Sequence, residues 1–204
     1  MIDLLARLYA LFINPLLTPL YVAAAVLFCP TTFSALVPMP YRLAVFAAFA
    51  VTAALLPLTV EVYLRIKHKI PRSEEIDAKY RRRLCILYAA VLLAAVFVLR
   101  TTPVFSLVVP LMKGVAALWI ITAAAMTLRK TACREMIFLG GATAFLAILA
   151  LTGAEQWTAI LCAALLISGV AATAVVRLDR TSLAGSGIDY LAGIGTMLAG
   201  LYLL

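Results

Sequence analysis

Between Leu128 and Met136 the chain gathers Arg129, Lys130, Cys133, Arg134 and Glu135, with apolar runs on both sides. Guanidinium groups bind phosphate through paired, charge-assisted donors, so anion binding is the first chemistry this segment can supply. A thiol beside an arginine also suggests a cysteine phosphatase. That chemistry needs a longer, glycine-rich phosphate loop between the two groups, whereas Cys133 and Arg134 are adjacent. The other cysteines, Cys29, Cys85 and Cys162, are scattered without any CxxC spacing, and His68 is the single histidine. A tetrahedral metal site needs several convergent ligands, so no metal and no cofactor is expected. The cysteines read as reduced, small apolar residues.

The elements that must position these groups belong to a membrane. Hydrophobic residues make up 66% of the chain and charged residues 13%, and the mean hydropathy is +1.11. Soluble domains average about 45–50% apolar and about 25% charged. A spanning helix takes about 20 apolar residues. Seven windows reach or approach that length: 8–29, 43–64, 84–100, 104–128, 136–153, 158–177 and 188–204. The first is preceded by Arg7 alone and followed by no small-x-small cleavage site, so it reads as a retained span. The expectation is an all-α polytopic bundle of about seven transmembrane helices, one domain over residues 1–204, multi-pass in the cell (inner) membrane. Its expected partners are membrane lipids, not nucleic acid.

The loops after the second, fourth and sixth windows emerge on one face: "RIKHKIPRSEEIDAKYRRR", "RKTACRE" and "RLDRTSLAGSGID". They carry thirteen of the 17 Lys and Arg residues, while the other face holds Arg7, Arg42 and Arg100. An excess of Lys and Arg marks the cytoplasmic side of a membrane protein. The same residues can serve as a site for anionic headgroups, each basic residue near the surface adding about 1 kcal/mol. The two explanations are compatible.

Two charges lie deeper, Glu61 in the second window and Lys113 in the fourth. Charged groups inside spans are costly and mark function by default. Glu61 lies one turn from Arg65, and a Glu61–Lys113 contact is the alternative pairing. In the last window Ala192, Thr196 and Gly200 share one face, as do Gly195 and Ala199, and small residues there permit close helix packing. Packing within the bundle is expected.

The order of these loops and helical hairpins resembles the type 2 phosphatidic acid phosphatase superfamily, and more closely the small PAP2-like membrane proteins of Bacteroidetes. The segments "FINPLLTPLY", "ALLPLTVEVYLRIKHKIP" and "DAKYRRRL" carry the likeness. The resemblance implies a six-helix core and three signatures around a phosphate. For the first it offers Lys79, Arg81, Arg82 and Arg83, with Leu84 where proline is expected. For the second it offers Lys130, with Ala132 in place of serine and Arg134 in place of histidine. For the third it offers Arg177 or Arg180, then Gly185 in place of histidine, and Asp189 as the acid.

In that family one histidine attacks phosphorus, oriented by the acid, and another protonates the leaving alkoxide. Both steps need an imidazole that titrates near neutral pH. Arg134 stays protonated and holds phosphate without attacking it, and Gly185 has no side chain. The leading expectation is therefore a catalytically degenerate lipid-phosphate phosphatase homologue that binds a phosphorylated lipid, such as a phospholipid or isoprenyl phosphate. An active phosphatase using His68 or Cys133 is one alternative. A transporter or scaffold with a midplane path lined by Glu61 and Lys113 is the other. Positive-inside logic turns the basic face to the cytoplasm, whereas the resemblance implies a periplasmic site.

Overall fold

The computed structural model describes residues 14–29, 37–67, 78–101, 108–128, 132–152, 155–178 and 181–203. Among the described residues every regular element is helical. The helices are α1 (Thr18–Phe28), α2 (Met39–Ala50), α3 (Leu56–Lys67), α4 (Ala78–Leu99), α5 (Val108–Leu128), α6 (Arg134–Leu151), α7 (Glu155–Arg177) and α8 (Leu183–Leu203). A π-helical turn, Val51–Leu55, joins α2 to α3 and makes them one rod.

Five segments are long and apolar enough to cross a membrane: Met39–Leu64, Tyr80–Leu99, Val108–Leu128, Arg134–Leu151 and Trp157–Arg177. The chain is an all-α helical membrane bundle. The remaining two of the seven expected spans differ from these. Helix α1 has 11 residues, about 16 Å at 1.5 Å per residue, which is half of a bilayer core. Helix α8 has 21 residues, but Asp189 and its glycines dilute the apolar character.

The π-turn has a local cause. Thr52 Oγ1 donates to the carbonyls of Ala48 and Phe49, at 3.0 and 3.1 Å. Pro57, just beyond, has no N–H to offer the carbonyl one turn earlier. A side chain competing for backbone acceptors and a missing donor together widen the helix for one turn.

One contiguous apolar core joins α1, α2, α4, α5, α6, α7 and α8. At its centre Trp119 stacks edge-on between Tyr88 (centroids 5.1 Å apart) and Phe138 (4.6 Å), tying α4, α5 and α6 together. Helices α6 and α8 cross backbone to backbone. A Cβ on Gly140 would sit 2.0 Å from the Tyr190 carbonyl oxygen, and one on Gly193 2.0 Å from that of Ile137. The inward face of α8 includes Gly193, Met197 and Gly200: Gly200 of the expected stripe packs on Ala117 and Gly114, while Ala192 and Thr196 are only half-buried. Met197 fills the space beside Gly114, and Gly195 opens onto empty space. Ala199 is exposed.

Short connections make successive rods antiparallel. The ends of α3, α5 and α7 and the starts of α4, α6 and α8 therefore gather at one end, the basic one.

Candidate functional site

Helix α6 starts without a cap of its own. Cys133 is its N-cap residue, with φ −97° and ψ 100°, and no side chain there caps the helix. The missing acceptor comes from α8: the Cys133 N–H donates to Asp189 Oδ2 at 2.7 Å. Asp189 is buried, at 1% exposure. A carboxylate accepting a backbone N–H at a helix start satisfies an orphan donor and complements the positive helix end. The start of α8 needs no such help, because Ser182 Oγ accepts the Gly185 N–H at 3.0 Å. Asp189 therefore serves the neighbouring helix rather than the start of its own. Gly185, the position the resemblance compares with a histidine, is buried in the first turn of α8 and supplies only its backbone N–H there.

Around this junction the Cys133 thiol donates to Glu135 Oε2 at 3.3 Å. Glu135 Oε1 lies 3.8 Å from Arg134 Nε. Burial pushes the Cys133 thiol up to about 12, and the charge of Glu135 beside it pushes the same way. The thiolate is the nucleophile, so Cys133 is held in its unreactive form at neutral pH. Among the described residues no group of three or more His, Cys, Asp or Glu is placed to hold a metal.

The cations divide by helical face. On α6, Arg134 shares a face with Phe138 and Gly141, which pack on Trp119 and Leu118. Its side chain is 35% exposed. On α4, Arg81, Cys85 and Tyr88 follow i, i+4, i+7 spacing, and Cys85 and Tyr88 are buried. The charges of Arg134 and Arg81 both reach Cys85. Arg81 lies in the first turn of α4 and Arg134 opens α6, both half-buried. Arg82 and Arg83 are exposed, as is Arg177 in the last turn of α7. Arg81 is the half-buried one of the three arginines in the first signature. The buried period through Cys85, Tyr88 and Leu92 is the signal that singles it out.

The expected roles of Lys130, Arg180 and His68 lie outside the described residues, as do the side chains of Lys79 and Arg65. Glu61 lies in α3, where its charge reaches Tyr88. Tyr88 is level with Pro57, whose carbonyl accepts the Tyr88 hydroxyl at 3.0 Å. Glu61 is four residues beyond Pro57 toward the basic end. Lys113 is six residues from Trp119 toward the opposite end. At 1.5 Å per residue these steps put the two charges about 15 Å apart along the bundle. Glu61 and Lys113 thus sit on opposite sides of the aromatic layer.

Two grooves, of about 400 and 430 Å³, lie elsewhere. One is lined by α1, α6 and α7, including Leu139, Ala142 and Leu146, and the other by α6, α7 and α8, including Ser168 and Ser186. Leu139, Ala142 and Leu146 follow Glu135 around α6, away from the Arg134 face. Comparison with protein-family models, curated proteins and solved structures returns no match for this chain.

Proposed function

We propose that the chain is a membrane protein that holds the phosphate of a phosphorylated lipid between Arg81 and Arg134, in the manner of a PAP2-like phosphatase that has lost turnover. The single observation that carries this reading is the gathering of thirteen of the 17 Lys and Arg residues in the stretches that join α3 to α4, α5 to α6 and α7 to α8. Two guanidinium groups there offer several charge-assisted donors at the level of a headgroup. The formal net charge of +8 and the thirteen cations at this end draw anionic lipids toward it. Lys79, Arg82, Arg83, Lys130, Arg177 and Arg180 contribute to that field. The same reading puts the chain in the cell inner membrane.

Turnover has no support in the residues. An arginine stands where the resemblance expects one histidine and a glycine where it expects the other, and neither can attack phosphorus or return a proton. Cys133 is buried with its thiol protonated.

The test is phosphate release by the purified chain from phosphatidic acid and from an isoprenyl diphosphate, beside its binding to vesicles containing phosphatidic acid. Binding without release is the expected outcome. Robust release would overturn the loss of turnover, and binding that Arg81→Ala and Arg134→Ala leave untouched would overturn the site.

A further inference from the structure

Helices α6 and α8 are drawn together at Gly140, at Gly193 and by the Asp189–Cys133 bond. Helix α7 packs on α6 but barely meets α8. A groove of about 430 Å³ therefore runs between α7 and α8, with Met136 of α6 beneath it. Two of its lining residues are glycines that hold it open. A Cβ on Gly169 or on Gly187 would meet no atom within 4 Å among the described residues. The α8 wall reaches from Leu183 to Tyr190, the first two turns of that helix and about 10 Å at 1.5 Å per residue. The groove thus opens at the basic end of the bundle.

Its hydroxyls are already used. Ser168 Oγ donates to the Ala164 carbonyl and Ser186 Oγ to that of Leu183, both at 2.8 Å. The Tyr190 hydroxyl pairs with Thr143 Oγ1 at 2.8 Å. Hydroxyls satisfied within the protein leave a wall of carbon, and Leu165 and Leu183 are exposed on its α7 and α8 sides. Such a wall suits hydrocarbon rather than a polar solute.

A membrane offers two hydrocarbon surfaces, a lipid chain and another helix, and size selects between them. About 430 Å³ along about 10 Å leaves a cross-section of about 40 Å². A helix about 10–12 Å across needs about twice that. Carbons pack about 4 Å apart, so a chain one carbon wide fits. Charge selects in the same direction. A second copy seated here would bring two basic ends side by side, and like charges oppose that. An anionic lipid is drawn to the same cations.

We propose that the α7–α8 groove binds one acyl chain of an anionic phospholipid from the leaflet on the basic side. This goes beyond the headgroup reading and does not depend on it, since Met136 lies about 200° round α6 from Arg134. The chain supplies the contacts that Gly169 and Gly187 omit and completes the packing of α7 on the bundle.

The test uses the full chain in phosphatidylcholine nanodiscs containing a trace of phosphatidic acid with a photoactivatable diazirine in one acyl chain. A phosphatidylcholine with the same chain is the second probe. Label mapped by mass spectrometry is read as a ratio, residues 165–172 and 183–190 against Ile86 and Leu87, which are exposed on α4. Gly169→Leu and Gly187→Leu each fill the groove from one wall and should lower the ratio at least about fivefold, with the melting temperature unchanged. Gly195→Leu adds the same side chain to α8 outside the groove, where a Cβ again meets nothing within 4 Å, and should leave the ratio as in wild type. The phosphatidic acid probe should label the groove about fivefold more than the phosphatidylcholine probe.

A ratio that neither groove variant changes overturns the site. Equal labelling by the two probes overturns the anionic occupant. A dimer that Gly187→Leu dissociates, read by light scattering in detergent, would put a second copy in the groove and overturn the lipid. No arginine is altered in these variants, so failure of the Arg81 and Arg134 reading leaves each outcome as it stands.

Discussion

Asp189 and Cys133 lie 56 residues apart in the chain, and the carboxylate of one accepts the backbone N–H of the other at 2.7 Å. The bond fastens α8 to the start of α6, next to the backbone crossing at Gly140 and Gly193. Replacing Asp189 with alanine leaves a buried donor unsatisfied, at a cost of about 1–3 kcal/mol. Asp189→Asn keeps an acceptor and should cost less. Thermal unfolding in detergent of the two variants beside wild type measures the difference.

Glycine positions in α6 and α8 should split cleanly. A methyl on Gly140 or Gly193 meets a carbonyl oxygen at 2.0 Å, so alanine at either must separate the two helices and lower the melting temperature. Gly195 meets nothing within 4 Å. There alanine is expected to be neutral or to stabilise by up to about 1 kcal/mol through helix propensity. The same unfolding measurement ranks all three.

The Cys133 thiol should resist alkylation. Burial holds it protonated up to about 12, against a reference of 9.0. N-ethylmaleimide at pH 8, read by mass spectrometry, should leave Cys133 unmodified in the folded chain and modify it after denaturation.

Linkage gives that thiol a pH signature as well. Above the reference value the unfolded thiol loses its proton while the folded one keeps it. The unfolded state then binds fewer protons, so stability falls as pH rises. The contribution is whole below about pH 9 and drains between about 9 and 12. Cys133→Ala should flatten that part of the stability curve.

Among the arginines of "KYRRRL", position decides effect. Arg81→Ala and Arg134→Ala should each weaken binding to phosphatidic acid vesicles about three- to tenfold. Arg82→Ala, on the exposed side of α4, should change it less than twofold at physiological salt, where exposed charges are screened. Vesicle co-sedimentation at two salt concentrations distinguishes the two classes.

Membrane character, the order of the long helices and the one-sided distribution of cations follow from composition and hydropathy alone. Lipid solvation demands long apolar helices wherever they occur, and Lys and Arg stay at the ends because burying them is costly. The choice of Arg81 over Arg82 and Arg83 was within reach of the same reading, through the period of Cys85, Tyr88 and Leu92. Which helix Asp189 caps was not: its acceptor role depends on α8 lying against the start of α6, a contact between segments distant in sequence. The separation of Glu61 from Lys113 likewise depends on how far each rod is shifted along its neighbours. The sequence by itself decides which residues lipid tolerates and where charge must stop. Tertiary packing alone decides which charges meet, because rods of equal hydrophobicity can slide and rotate until glycines, aromatic rings and buried hydrogen bonds fix their register.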